Sequence, residues 1–148
     1  MCSSVYRFFL IILILLLSGC RNQEVSHLLT CAEECMISAP DSSLNILERI
    51  DPATLTKMAD EALYSLLYTQ ARDKNYIDDS DDSLINVAVS YYMAKKDKYK
   101  LFLSYYYQGR IRENAGLDVG AMLSYVKAEE MVPEVNDYHY QVGLLYAH

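Results

Sequence analysis

The first patterned stretch of the chain is an unbroken apolar run, Phe8 to Leu17, behind the single basic residue Arg7 and ahead of Ser18 and Gly19. It falls well short of the ~20 apolar residues a membrane-spanning helix needs. A basic start, a short apolar core and small residues after it form the pattern of a secretory signal. From Val25 onward apolar positions recur three and four apart between short polar joints, the period of helices, with no strand-like alternation. The pattern predicts helices over Val25–Ser38, about Asp41–Ile50, Thr56–Asn75, Ser83–Lys95, Tyr99–Asn114 and Val119–Met131, and a seventh from near Val135. The third should turn Leu63, Leu66, Leu67 and Ala71 inward. Pro40 disfavours helical backbone at Ala39, and Asp41 or Ser42 can cap the second helix. Asp51-Pro52 breaks the chain again, and Gly116 or Gly120 marks the turn before the sixth helix. The expectation is an all-α array of about seven helices in consecutive antiparallel pairs. One such hairpin cannot bury its apolar face alone, so the pairs are expected to stack.

Internal similarity sharpens this. Gly109 and Gly143 are 34 residues apart, and Tyr105, Gly109, Ala121, Tyr125, Ala128 and Pro133 fall at spacings that closely resemble the tetratricopeptide repeat. The resemblance places a large aromatic at Tyr105, the close approach of two helices at Gly109, and the small residue opposite at Ala121. It gives Tyr125 and Ala128 the second helix's aromatic and small sites, and closes the unit at Pro133. Gln108 stands where the family has Leu, and Arg112 where it has Tyr. Val142, Gly143 and Tyr146 restart the pattern, and the chain stops at His148 before a second helix. The clear similarity covers 102–148, and it implies a right-handed solenoid over 25–148 that is incomplete at its C-terminal end.

Leu17-Ser18-Gly19-Cys20 closely resembles the bacterial lipobox, in which the signal is cleaved before the cysteine and the cysteine is acylated. The implied organisation is a signal peptide at 1–19, a short tether at 20–24 and the helical domain at 25–148. Several acyl chains on Cys20 would hold the chain on a membrane where one alone would be marginal. Arg21 after the cysteine favours the outer membrane by the same resemblance. With Pro40-Asp41-Ser42-Ser43-Leu44 and Leu63–Ala71 added, the chain is similar to tetratricopeptide lipoproteins of Bacteroidetes type.

Charge and composition narrow the chemistry. The net charge is −7, and a product starting at Cys20 loses Arg7 and carries 12 positive against 20 negative side chains. Phosphate neutralisation needs a clustered basic surplus, so a nucleic-acid partner is excluded. Fourteen Tyr against three Phe and no Trp suits thin helical layers whose aromatics keep a wet hydroxyl. Cys31 and Cys35 share a helix face with Leu28, Ala32 and Met36, which reads as packing, with a redox pair or a metal site as alternatives; His27 is the nearest further ligand type. Asp78, Asp79, Asp81 and Asp82 resemble a calcium loop but lack its turn glycine and its closing Glu. They read as a solvated joint, as does the Lys95–Lys100 cluster, while Glu33, Glu34, Glu129 and Glu130 read as outward solubility. His27, His139 and His148 are far apart, with packing the reading for His139. No nucleophile elbow, phosphate loop or Cys/His pair is present, so no enzyme, cofactor or metal is expected.

Binding remains. The resemblance implies a concave groove lined by first helices, where Leu103, Tyr106, Arg110, Glu113 and Asn114 would meet a protein or peptide partner. The leading expectation is a membrane-anchored cell-envelope scaffold for protein–protein contacts. An N-terminal sensor or dimerisation region of a longer signalling regulator is the alternative, and a carbohydrate-capture lipoprotein the third.

Overall fold

The computed structural model describes residues 23–132 and residue 143, and within them the regular structure is helical, with no strand. Helix α1 takes in 23–35, α2 is Pro40–Leu47, α3 Met58–Lys74, α4 Ser83–Lys95, α5 Lys98–Asn114 and α6 Asp118–Glu129. The seventh helix expected near Val135 lies outside the described residues. So do Cys20, Pro133, His139, Tyr146 and His148.

Pro40 acts differently from expectation. Neither Asp41 nor Ser42 caps α2; Pro40 itself opens the helix, where its missing N–H costs nothing, and Ala39 before it is non-helical, at φ −149° and ψ 70°. Asp51 caps the next element, a single 3-10 turn at Pro52–Thr54, by accepting from the Ala53 amide at 3.0 Å. Asp97 does the same for α5, accepting from the Lys100 amide at 3.1 Å.

Helices α3, α4 and α5 end alike. Tyr76, Lys96 and Gly116 each take positive φ, and the next amide reaches back five residues, to Arg72, Tyr92 and Arg112 respectively. Gly116 therefore marks the last turn, while Gly120 lies inside α6. Glycine is the residue suited to this left-handed stop, because it lacks the Cβ that crowds the carbonyl there. Tyr76 is 94% exposed, so its ring recovers little through packing. Tyr76→Gly should raise stability by about 0.5–1 kcal/mol in urea melts; a lower midpoint would show that the ring is held by contacts.

The helices pack as sequential pairs on two continuous apolar clusters. Val25, Leu29, Ala32 and Met36 of the first segment meet Leu44, Leu47 and Ile50, and both close on Tyr64, Leu67 and Ala71 of α3. The other side of α3, at Ala62 and Leu66, joins Ile85, Ala88 and Tyr92 of α4 and the buried length of α5. Helix α3 is thus apolar on two faces rather than on the one the sequence implied. Ser43 Oγ donates to the Ala32 carbonyl at 2.9 Å and ties α2 to α1. Every buried polar side-chain atom among the described residues has a partner.

Candidate interaction surface

Helix α5 positions most of the expected groove residues, and its burial decides what they can do. Every residue from Leu101 to Gly109 is buried, because α3, α4 and α6 all pack on this helix. Leu103 and Tyr106 are therefore core residues, not the outward groove positions expected of them. Both join one apolar cluster with Leu66 of α3, Ile85 of α4 and Ala128 of α6. Tyr106 packs edge-on to Tyr107, with centroids 5.0 Å apart, and lies 6.0 Å from Tyr125.

Arg110 is half-buried at the margin of this core. Its Nε donates to Asp73 of α3 at 2.9 Å and its Nη1 to Glu113 at 3.0 Å. Burial alone pulls the guanidinium pKa down, but the charge and hydrogen bond of Asp73 outweigh it and the net shift is upward. Tyr125 completes the cluster by donating its hydroxyl to Glu113 at 2.9 Å. Arg110 is thus committed to internal partners, and only Glu113 and Asn114 of the five expected residues are exposed. Asp73 was not singled out in the sequence; no local spacing connects it to Arg110 across 37 residues.

The repeat-packing residues divide. Tyr105, Ala121 and Ala128 are buried as expected. Gly109 does mark a close approach, but the side chain it admits is the Tyr125 ring; an added Cβ would lie 2.6 Å from Cδ1 and 2.9 Å from Cζ. Gly143 is exposed, and an added Cβ there would meet nothing within 4 Å among the described residues.

The two departures from the repeat pattern are joined in space. Asn86 donates to Asp82 at 3.0 Å, and Gln108 Nε2 donates to Asn86 at 2.6 Å. Ser124 then donates to Gln108 Oε1 at 2.8 Å, and Arg112 donates both to Ser124 at 2.9 Å and back to Asp82 at 2.7 Å. These five side chains close a ring across α4, α5 and α6, in which Arg112 donates in both directions and Asp82 accepts from both. The carboxylate can only accept, which fixes the orientation of each amide in turn. Gln108 and Arg112 are therefore linked through Ser124.

Of the acids in the Asp78–Asp82 joint, Asp79 and Asp82 hold cations, while Asp78 and Asp81 are exposed. Arg72 grips Asp79 with two bonds of 2.6 and 2.8 Å, and that hydrogen bond raises the guanidinium pKa. Asp82 belongs to the polar ring. Asp81 accepts from the Ser83 amide and hydroxyl, the amide first, which together lower its carboxyl pKa. Glu33 and Lys100, both read as solvated, pair at 2.6 Å and fasten α1 to α5. Cys31 and Cys35 are half-buried free thiols flanking the packed stripe. Cys31 Sγ lies 3.8 Å from His27 Nδ1, and no group of three metal-ligating side chains occurs among the described residues.

Burial raises the phenol pKa values of Tyr64, Tyr92 and Tyr125, with neighbouring acids adding to it. In the unfolded chain tyrosine ionises near 10. Above that pH the unfolded state has lost protons the folded state keeps, so folding stability falls as pH rises. The slope approaches about 1.4 kcal/mol per pH unit for each such tyrosine. Urea melts between pH 9 and 11, read beside tyrosinate absorbance, should show this loss; unchanged midpoints would mean that the three phenols ionise as freely folded as unfolded.

Comparison with family models, with curated proteins and with solved structures finds no match to this chain.

Proposed function

We propose that this chain is a lipid-anchored cell-envelope scaffold, in which a right-handed helical-hairpin solenoid of tetratricopeptide type presents a surface to protein partners. The observation that carries the reading is the succession of helix pairs, with Gly109 on Tyr125 and Ala121 and Ala128 buried at the spacing of the repeat. The anchor rests on Leu17-Ser18-Gly19-Cys20 behind its short apolar run. No helix among the described residues is long and apolar enough to cross a membrane. Within the expected groove, Glu113 and Asn114 are the positions a partner can touch, since Arg110, Leu103 and Tyr106 are taken up internally.

Two measurements test this. Cys20→Ala should move the protein from the membrane to the soluble fraction of the producing cell; acylation and membrane retention in that variant would sink the anchor. A photo-crosslinking residue at Asn114 should give a discrete adduct with an envelope protein. Labelling no stronger than from a random surface site would remove the scaffold reading.

A further inference from the structure

Helix α6 is apolar on two faces, and only one of them is used among the described residues. Ala121, Ser124 and Ala128 are buried against α5. On the other side Val119, Met122, Leu123 and Val126 follow one another at helical spacing and are 76, 68, 56 and 45% exposed. Single exposed apolar residues are ordinary, whereas a contiguous stripe of four marks a contact surface. The stripe borders a cleft of about 360 Å³ lined by Ala121, Met122, Tyr125 and Val126, with an exposed acidic rim of Glu113, Asp118 and Glu129. No cation among the described residues lines it. Glu113 is shared with Arg110, but Asp118 and Glu129 form no ion pair among the described residues. Lys127, the nearest cation along the helix, turns away and stacks over Tyr105 at 5.2 Å.

We infer that the outward face of α6 docks a cationic amphipathic segment of a partner protein, its apolar side chains in the cleft and its Lys or Arg against Asp118 and Glu129. The inference rests on the scaffold reading and gives its partner a chemistry. Charge selects this occupant over two others. A second copy of the chain carries −7 and would set Asp118 and Glu129 against their own kind. Residues 133–148 hold Glu134 and Asp137 and neither Lys nor Arg, so they offer the rim no counter-charge.

The test uses the full chain in phosphatidylcholine nanodiscs, with empty discs as the blank, and fluorescent peptides read by anisotropy. One peptide carries Leu and Lys at helical spacing, the second has Glu for every Lys, and the third is residues 134–148. The Leu/Lys peptide should bind, weaken as salt rises, and lose about tenfold or more in affinity with Met122→Lys. Asp118→Lys with Glu129→Lys should reverse the preference towards the Leu/Glu peptide. Both variants change exposed positions, so an unaltered thermal melt will show that they fold. Equal binding of the Leu/Lys and Leu/Glu peptides, or a preference unmoved by charge reversal, overturns the inference. Tighter binding of the 134–148 peptide would assign the face to the chain itself, and a Met122-dependent dimer in sedimentation would assign it to a second copy; either overturns it too. An Asn114 adduct that persists in Met122→Lys while the peptides fail removes this inference and leaves the scaffold standing.

Discussion

Gly109→Leu should lower the thermal midpoint by on the order of 10 °C, equivalent to about 3 kcal/mol. The position is buried between α5 and α6, and even a methyl group there falls within 2.6 Å of Tyr125 Cδ1. The ring cannot retreat for free. Its hydroxyl is bonded to Glu113, which also holds Arg110, so displacement breaks a cluster that reaches α3. A larger side chain at Gly109 therefore strains the α5–α6 pair and loosens its contact with the pair before it. Helix propensity favours Leu over Gly by up to about 1 kcal/mol, too little to offset the clash. Adding Tyr125→Ala should recover part of the loss, because the atoms being struck are gone. A Gly109→Leu melt that matches the parent would refute the close approach, and a double variant that is merely additive would refute the assignment of Tyr125 as the group struck.

Gln108→Leu restores the residue expected from the repeat pattern and should nevertheless destabilise the chain by about 2 kcal/mol. Gln108 is almost wholly buried and is the one member of the polar ring that connects Asn86 on α4 to Ser124 on α6. Leucine leaves the amide oxygen of Asn86 without its donor. Ser124 can still turn to the Gly120 carbonyl at 3.1 Å, which moderates the cost. Gln108→Leu and Ser124→Ala should be coupled by about 1 kcal/mol in a urea-melt cycle, since either change alone opens the ring. Additivity within a few tenths of a kcal/mol would mean that the ring does not act as a unit.

The candidate interaction surface was legible in part. Arg110, Glu113 and Tyr125 stand out in the sequence, and the spacing of Tyr105, Gly109, Ala121 and Ala128 correctly assigns a packed helix pair. What spacing does not reveal is that Arg110 is answered by Asp73 and that Leu103 and Tyr106 are covered. A helical repeat locates the faces of α5 but not which neighbours lie on them. The outward stripe of α6 is the converse case: Val119, Met122, Leu123 and Val126 have core-like periodicity, and only their exposure separates them from Ala121 and Ala128.

The sequence by itself determined which segments among the described residues are helical, to within a few residues at their ends. Apolar period, Pro40, Asp51-Pro52 and Gly116 act through neighbouring residues, so they mark helix positions locally even though packing supplies most of the stability. The order of short joints likewise required sequential antiparallel pairs. Tertiary structure alone decided that α5 is the central helix, that Asp79 and Asp82 hold Arg72 and Arg112, and that Gln108 and Arg112 share one polar ring. These depend on side chains 7, 30 and 16 residues apart arriving within 3 Å of each other. It also decided that Tyr76 and Lys96 take the left-handed stop glycine would favour, because once α3 and α4 are packed the chain must turn there whatever residue it carries.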